Sequence, residues 1–313
     1  MSPWAGLHHH DSASHAEVVA RIIGPVEVID AQVHVWQRDS PEQPWDPRLR
    51  ALPAEHLALI QKLFSTHVVD DTAMVAMMDG AGVDAALLVS PSIYGPDNSY
   101  ALQAAKRYPQ RFRVVGRVDL QRSDLDRTLE GWLEQPGMVG ARVTANNDSE
   151  RERLTGQQGD RFLEIAGRNS IPVCVYAPGC LPALNALAKR HRETVFVIDH
   201  LGMHQPPNIK PGQDPLLALP DLLAMSQLDN VAVKFSAVPS IAKEPYPFRD
   251  VWPVFNQVAS SFGIERVLWG TDITRCDHSY EEDVGYLKVK NELTETEFGA
   301  VMGSNLRRIF QWE

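Results

Sequence analysis

The sequence predicts an α/β protein in which eight parallel strands close into one (β/α)8 TIM barrel. Eight short apolar segments recur along the chain, and each is followed by a segment long enough to form a helix. A length of 313 residues fits one such barrel, although length alone also permits two domains. An open doubly wound sheet is the alternative, but no Gly-x-Gly-x-x-Gly follows the first strand and no Gly-x-x-x-x-Gly-Lys phosphate loop occurs.

The first half of the chain alternates apolar strands with helix-like segments. Strands one to four are predicted at Val26–Asp30, Ala85–Val89, Arg113–Val118 and Val139–Val143. After the first strand, Asp71-Thr72 is expected to cap a helix that Gly82 ends. Two further helices are predicted at Tyr100–Tyr108 and Leu125–Leu133.

The second half repeats this alternation. Strands five to eight are predicted at Pro172–Tyr176, Thr194–Asp199, Val231–Phe235 and Arg266–Trp269. Helices are predicted at Phe162–Arg168, Leu181–His191, Leu216–Gln227 and Val251–Phe262, with one or two more at the end of the chain. Residues 25–313 are therefore predicted to form a single barrel domain. Residues 1–24, where His8, His9, His10 and His15 lie among Ser, Asp and Gly, are predicted to be a disordered arm.

The connection over residues 37–71 is unusually long. It carries Pro41, Pro44, Trp45, Pro47 and Pro53. Connections longer than about 12–15 residues within compact domains often act as lids or binding loops. We therefore expect this segment to close over the site with an apolar or aromatic surface and to set specificity.

Composition and charge narrow the classes of function. A hydrophobic content of 44% and a charged content of 22% are ordinary for a globular protein. The formal net charge of −10 argues against a nucleic-acid binder. Three cysteines suit a reducing cytoplasm, and neither a secretion signal nor an apolar run of the ~18–20 residues that a membrane span needs is present. We expect a cytoplasmic protein that acts on a small molecule and could form a homodimer.

Side chains at the C-terminal strand ends of a barrel face one mouth, where catalytic residues lie. Gln32 and His34 are two residues apart, so a strand places them on the same side. Taken in order, the eight strand ends supply Gln32, His34 and Trp36; Ser90, Ser92 and Tyr94; Arg117 and Asp119; Arg142 and Thr144; Tyr176; Asp199 and His200; Lys234 and Ser236; and Thr271, Asp272, Thr274 and Arg275. Core packing does not account for so many acidic, cationic and His side chains at one end of the predicted barrel.

Three of these strand ends resemble motifs of a known superfamily. They are Ile29-Asp30-Ala31-Gln32-Val33-His34-Val35-Trp36, Ile198-Asp199-His200-Leu201-Gly202 and Leu268-Trp269-Gly270-Thr271-Asp272. Together they resemble the strand-one, strand-six and strand-eight motifs of the amidohydrolase superfamily. The stretch from Val89 to Asn98 and the stretch from Met302 to Leu306 resemble the branch of sugar-lactone and pyrone-dicarboxylate lactonases. The resemblance implies a TIM barrel with hydrolase activity.

The metal-binding pattern of that superfamily is altered in this chain. Metal-dependent members use His-x-His on strand one, a His on strand five or a carboxylated Lys, and an Asp on strand eight. Here Gln32 replaces the first His, and strand five offers no His, so only His34 and Asp272 remain of that set. Because zinc sites use three or more protein ligands, we expect a site without a metal. A divalent zinc or manganese ion held by His34 and Asp272 is the alternative.

Lactone hydrolysis needs a base for water and donors for the developing oxyanion. We expect Asp272 to be the base and His200 and His34 to polarise the carbonyl or to transfer the proton. Expected substrate contacts are Gln32, Trp36, Tyr94, Arg117, Arg142, Tyr176, Lys234 and Arg275, with the cations holding a substrate carboxylate.

Each role has a structural alternative. Asp272 could be a helix N-cap. Arg117 and Arg142 could form ion pairs at the barrel mouth with Asp119 or Asp199. Two other functions also stay open: a metal-dependent hydrolase or decarboxylase of a small acid, and a barrel that has lost its chemistry and binds a ligand.

Overall fold

The computed structural model describes residues 26–206, 208–209, 212–290 and 292–313, with the backbone but not the side chain of Arg275. The arm predicted for residues 1–24 lies outside these residues. In the described part of the chain, no helix is long and apolar enough to cross a membrane. The three cysteines are buried and unpaired.

Eight parallel strands form one sheet in sequential order, β1 to β8. The strands are β1 (Ile29–Val33), β2 (Ala85–Val89), β3 (Phe112–Arg117), β4 (Met138–Thr144), β5 (Val173–Tyr176), β6 (Phe196–Ile198), β7 (Val231–Ser236) and β8 (Val267–Gly270). The backbone N–H of Asp272 donates to the carbonyl of Gln32 at 2.8 Å, which brings the end of β8 back to β1. The prediction of a TIM barrel is confirmed, and the open doubly wound alternative is wrong.

Helices alternate with the strands around this barrel. They are α1 (Ala54–Thr66), α2 (Asp71–Ala81), α3 (Ser99–Arg107), α4 (Leu125–Glu130), α5 (Asp148–Thr155), α6 (Gln157–Arg168), α7 (Leu181–Arg190), α8 (Leu219–Ala224), α9 (Trp252–Phe262), α10 (Tyr280–Lys290), α11 (Glu295–Gly299) and α12 (Asn305–Phe310). The N-cap of α2 is Asp70, one residue before the predicted cap, because its carboxylate accepts from the N–H of Ala73 at 2.8 Å. Gly82 ends α2 as predicted, with φ of 70°.

The interior of the barrel is apolar, and polar residues lie at its C-terminal mouth. Side chains of alternate strand positions, among them Ile29, Leu87 and Leu268, pack together inside the barrel with Leu306 and Phe310 from α12. The opposite faces of the strands pack against the surrounding helices in a second, larger core. Because the lower part of the barrel is filled with apolar side chains, polar chemistry is confined to the strand ends.

Several elements differ from the prediction. Strand one begins at Ile29 and not at Val26, so Gln32 lies within the strand. The segment 37–71 contains α1, which the prediction of a long connection missed although Leu57, Ile60 and Phe64 recur at helical spacing. The helix α5 was not predicted either, and α6 begins at Gln157, five residues before its predicted start. The helix predicted at Leu216–Gln227 begins only at Leu219, because Pro220 is tolerated only in a first turn.

Candidate active site

A bulge in β1 directs Gln32 and His34 into the barrel mouth. Between the pairs Asp30–Ala86 and Val33–Leu88, three steps along β1 oppose two steps along β2. Such a bulge reverses the inward and outward alternation of the strand that follows it. Both Gln32 and His34 are buried in the structure. The sequence spacing placed the two residues on one side, and the bulge determines which side.

His34 and Asp272 form the central contact of the mouth. The ring Nδ1 of His34 lies 2.7 Å from the carbonyl oxygen of Val89, and its Nε2 lies 3.2 Å from Oδ1 of Asp272. A carbonyl oxygen only accepts, so Nδ1 must carry a proton. The contact places Nε2 of His34 beside Oδ1 of Asp272, so the two side chains can act together as an acid–base pair.

His200 approaches Asp272 from the other side. Its Nδ1 lies 2.8 Å from Oγ of Ser236, and its Nε2 lies 3.7 Å from Oδ2 of Asp272. Burial lowers the pKa of His200 to about 4, so the ring is neutral at pH 7. The arrangement that satisfies both contacts has Ser236 donating to Nδ1 and a proton on Nε2. His200 thus presents a neutral N–H donor beside the acid–base pair.

The backbone turns sharply at the ends of β6, β7 and β8. His200, Ala237 and Asp272 have φ of 52°, 55° and 56°, in the left-handed region. Non-glycine residues in such conformations typically cost about 1–3 kcal/mol each and cluster at functional sites. The turns at His200 and Asp272 are what bring their side chains together over the mouth.

Asp30 fastens the loop that carries Asp272. Its carboxylate accepts from the N–H groups of Gln32 and Thr271 at 2.9 and 3.0 Å, and from the hydroxyls of Thr271 and Tyr280 at 2.5 and 2.8 Å. Burial raises the pKa of Asp30 to about 7, although these four donors oppose the shift. Through these hydrogen bonds, Asp30 joins β1 to the loop that follows β8.

Beneath the mouth lies a fully buried network of charges. The ammonium group of Lys234 lies 2.9 Å from Oδ1 of Asp199 and 2.8 Å from Oε1 of Gln32. The other carboxylate oxygen of Asp199 accepts from Nε of Arg142 at 2.8 Å. Burial pushes the pKa of Asp199 up, but the cations of Lys234 and Arg142 outweigh it and hold the pKa at about 2. Cys174 is a further neighbour of the ammonium group, so Lys234 is committed to protein partners.

Gln32 offers a hydrogen-bond donor to the mouth. Because an ammonium group only donates, the atom facing Lys234 is the amide oxygen of Gln32, and this fixes the orientation of the amide. The amide nitrogen is buried and has no hydrogen-bond partner among the residues that the structure describes. Buried polar atoms are rarely left unpaired in native proteins, so this nitrogen is a candidate contact for a ligand.

A positively charged cleft of about 140 Å³ adjoins this network. Arg48, Arg117, Arg142 and Arg153 line it together with Thr144. Arg117 donates to the hydroxyl of Thr144 at 3.1 Å but forms no ion pair with a carboxylate in the described part of the chain. Burial and the neighbouring Arg142 lower the pKa of Arg117 to about 10, which leaves it charged at neutral pH.

The cleft is linked to the acid–base pair by a chain of contacts. The guanidinium of Arg142 lies 5.7 Å from the centre of the Tyr176 ring, and the rings of Tyr176 and His200 meet edge to face at 5.4 Å. His200 in turn faces Asp272. The cleft and the acid–base pair therefore share a continuous set of packed side chains.

Two aromatic residues predicted to touch substrate hold the long connection in place. The indole N–H of Trp36 donates to the carbonyl of Phe64 in α1 at 2.8 Å. The hydroxyl of Tyr94 accepts from the N–H of Gln37 at 2.9 Å. Their substrate contacts stay predictions, as do those of Gln32, Arg117, Arg142, Tyr176 and Lys234. The side chain of Arg275 lies outside the described part, so its predicted role stays open.

Sequence reasoning missed two residues of the mouth. The four contacts of Asp30 were not anticipated, although an Asp in an otherwise apolar strand was a usable signal. The amide of Gln205 lies 3.4 Å from Oδ2 of Asp272, and nothing in its surrounding sequence marks it. The ion pair of Arg142 with Asp199, the structural alternative for Arg142, is present at 2.8 Å, whereas the second cation on Asp199, Lys234, emerges only from the fold.

The mouth does not supply the ligand set of the metal-dependent members. Nε2 of His34 and Oδ1 of Asp272 meet directly, and Nε2 of His200 is a third candidate ligand atom, 3.7 Å from Oδ2 of Asp272. The amide oxygen of Gln32 is taken by the Lys234 ammonium, which would also repel a metal ion. In the described residues, the group of three ligand atoms that lie within 4.8 Å of one another is Cys276, His278 and Asp283. The residues of the mouth therefore do not fit the metal site of those members, whereas a divalent ion elsewhere is compatible with the structure.

The chain matches the sequence profile of the Amidohydrolase family over residues 29–312. The 4-sulfomuconolactone hydrolase of Hydrogenophaga intermedia is 27% identical over 222 residues, which cover 70% of this chain and 69% of that protein. The L-fucono-1,5-lactonase of Burkholderia ambifaria is 26% identical over 248 residues, which cover 78% of this chain and 79% of that protein.

Solved structures show the same fold. An amidohydrolase from Burkholderia multivorans with bound zinc superposes with a TM-score of 0.70 at 19% identity, over 91% of this chain and 99% of that one. The 5-carboxyvanillate decarboxylase of Sphingomonas paucimobilis superposes with a TM-score of 0.67 at 16% identity, also over 91% and 99%. The resemblance seen in the three strand-end motifs is thus confirmed. The chain belongs to the amidohydrolase family and is a hydrolase that resembles the family's lactonases.

Proposed function

We propose that this protein opens a lactone or similar cyclic ester that carries a carboxylate, with Asp272 as the base and without a metal at the mouth. The relatives support a lactonase or a decarboxylase at the coarser level. The observation that carries the finer proposal is the 3.2 Å contact between Nε2 of His34 and Oδ1 of Asp272, which puts an imidazole beside a carboxylate at the centre of the mouth.

This pair has both halves of the acid–base chemistry that hydrolysis needs. Asp272 takes a proton from water as the water oxygen bonds to the carbonyl carbon. The ring C–O bond then breaks, and the leaving oxygen receives the proton of His34. Transfer of the new proton from Asp272 to His34 across their contact restores the pair.

Two donors are placed to stabilise the oxyanion. The neutral His200 presents its Nε2–H towards Asp272, and the amide nitrogen of Gln32 has no partner among the described residues. Loss of one oxyanion donor typically lowers the rate by about 10²–10³. Gln32 therefore supplies a donor where metal-dependent members supply a metal ligand.

The arginine-lined cleft supports a substrate with a carboxylate. Arg117 makes no ion pair within the described residues, and a guanidinium group binds a carboxylate with two parallel hydrogen bonds. The chain of contacts through Tyr176 and His200 connects this cleft to Asp272.

A decarboxylase of a small acid is the second candidate. The same cleft would hold its carboxylate, and the fold is shared with a decarboxylase. The two reactions differ in product: lactone hydrolysis releases an acid and no gas, whereas decarboxylation releases CO2.

The test is acid release and CO2 release by the full chain after dialysis against a chelator, on matched lactones with and without a carboxylate. We expect acid release from the carboxylate-bearing lactone, with Asp272→Asn lowering kcat/KM by about 10²–10⁴. The exposed Asp124 provides a matched control, and Asp124→Asn should retain full activity.

Full activity of Asp272→Asn would remove the proposed base. Activity restored only by added metal would overturn the metal-free mechanism, and CO2 release would favour the decarboxylase.

A further inference from the structure

A second polar cluster lies outside the barrel mouth, in the loop after β8 and the first turn of α10. It consists of Cys276, His278 and Asp283, whose candidate ligand atoms all lie within 4.8 Å of one another. A tetrahedral zinc site with bonds of about 2.0–2.3 Å places its ligand atoms roughly 3.5 Å apart. Small side-chain shifts would therefore bring these three atoms to bonding distance.

The cluster contains an unpaired buried carboxylate oxygen. The side chain of Asp283 is fully buried, and its Oδ2 accepts from Nε2 of His278 at 2.7 Å. Its Oδ1 has no hydrogen-bond partner among the described residues, and neither has the buried hydroxyl of Tyr286, one turn further along α10. Native structures rarely leave such atoms unpaired, so both point to a missing partner.

The charges around the cluster call for a cation. Asp283 forms no ion pair with Lys or Arg in the described part of the chain, while Asp277 and Glu282 add negative charge beside His278. Without a metal, His278 is the side chain that pairs with Asp283 in the described residues. In a metal-bound state the thiolate, the carboxylate and a neutral imidazole would carry a total charge of −2, which a divalent ion neutralises.

We propose that Cys276, His278 and Asp283 form a binding site for a divalent transition metal of the zinc class. Binding releases the thiol proton of Cys276 to solvent, the ring nitrogen of His278 and the carboxylate of Asp283 complete three protein ligands, and water takes the fourth position. Thiolate and imidazole ligands favour zinc over magnesium or calcium.

This site would hold the loop that carries the proposed base. The Cys276 sulfur lies 3.6 Å from the carbonyl oxygen of Thr271 and 3.7 Å from that of Asp272. Asp272 has a left-handed backbone that must be held in place by its surroundings. A metal on Cys276 therefore acts on the mouth by positioning, and it is not part of the acid–base chemistry.

The test is titration of the metal-free full chain with Co²⁺, followed by near-ultraviolet absorption. A thiolate bound to Co²⁺ gives a charge-transfer band, so the signal requires a cysteine ligand. Neither His34 with Asp272 nor the His-rich residues 1–24 contain one. We expect one equivalent of Co²⁺ to produce the band and Zn²⁺ to displace it.

Variants assign the ligands. Cys276→Ser should abolish the band, and His278→Gln and Asp283→Asn should weaken Co²⁺ binding by at least about tenfold. Cys174→Ser, Cys180→Ser and Asp277→Asn are the matched controls and should retain the band, as should Asp272→Asn at the mouth.

The wild-type chain alone can overturn the proposal. Absence of the band at one equivalent of Co²⁺ would do so even if the ligand variants failed to fold. Survival of the band in Cys276→Ser would equally exclude this site. Zn²⁺ should also raise the melting temperature of the wild type but not that of Cys276→Ser. Because the band does not depend on turnover, this test is independent of the proposed lactonase activity.

Discussion

Replacement of Lys234 by Met tests whether the buried charge network holds the mouth together. Lys234 is fully buried, and its ammonium group bridges Asp199 and Gln32 at 2.9 and 2.8 Å. Met has a similar length and no charge, so Lys234→Met removes the cation with little loss of packing volume. Asp199 is then left with Arg142 as its one cation, and the amide oxygen of Gln32 loses its donor.

The expected loss of stability follows from these contacts. Removal of one partner of a buried ion pair typically costs about 3–5 kcal/mol. Because Arg142 still contacts Asp199 at 2.8 Å, we expect the lower end, about 3 kcal/mol. Loss of the donor to Gln32 also frees its amide to reorient, so we expect lower activity as well.

The same change should alter the acid sensitivity of the protein. The pKa of Asp199 is held at about 2, below its ordinary value of 3.8, so its ionised form stabilises the fold above pH 4. This contribution, roughly 2 kcal/mol, is lost as the pH falls from about 4 to about 2. In Lys234→Met the folded-state pKa of Asp199 rises, so this contribution should be smaller and should be fully lost at a higher pH than in the wild type.

The assay is urea unfolding followed by tryptophan fluorescence, for which the chain has seven tryptophans. A double-mutant cycle with Asp199→Asn isolates the pair, and we expect a coupling of about 1–3 kcal/mol at unchanged m-value. The exposed Lys243 provides the control, and Lys243→Met should be neutral. A loss below about 1 kcal/mol for Lys234→Met, or additive single variants, would refute the reasoning.

Three further changes test other parts of the mouth. Arg117→Met should raise KM about 10–100-fold for a carboxylate-bearing lactone and leave a neutral lactone unchanged; equal effects on both would contradict the assignment. Asp30→Ala should cost at least about 3 kcal/mol in urea unfolding, since four donors lose one acceptor, and a loss under 1 kcal/mol would show that β1 and the loop after β8 are joined without it. Tyr94→Phe removes the acceptor of the Gln37 N–H, so proteolysis within residues 37–66 should accelerate several-fold relative to the wild type; unchanged cleavage would mean that the connection is held elsewhere.

The barrel could be predicted because each strand carries its own signal. Ala85–Val89 was predicted to the residue, since a short apolar run between turn signals is a local property. Strand one was displaced by three residues because its polar residues, Asp30 and Gln32, are buried by tertiary contacts. The helix α1 was missed because the prolines and tryptophans around it indicated a loop, although Leu57, Ile60 and Phe64 recur at helical spacing.

The sequence predicted which residues lie at the mouth, but for most of them it did not predict which side chains contact one another. The strand-end rule brought His34, His200 and Asp272 to one mouth because parallel strands share their C-terminal edge. Asp199 pairs with Lys234 of the adjacent β7 and with Arg142 of β4, which is not a neighbour of β6, and this combination of partners depends on distances in the closed barrel. The bulge in β1 and the left-handed turn at Asp272 are set by the closure of β8 onto β1, and no local pattern encodes them.

The amide of Gln32 and the ammonium group of Lys234 are chemically complementary. A neutral amide oxygen can accept from an ammonium group, and the two atoms are 2.8 Å apart. A metal ion bound at position 32 would lie close to that ammonium and be repelled by it. Under the proposed metal-free mechanism, the cation of Lys234, fixed by the covalent chain, would take the place that a dissociable cation has in metal-dependent members. It follows that Gln32→His alone should not create a metal site at the mouth, whereas Gln32→His combined with Lys234→Met should. Co²⁺ binding in a Cys276→Ser background would measure this, and equal binding by the single and the double variant would show that Lys234 does not oppose a metal.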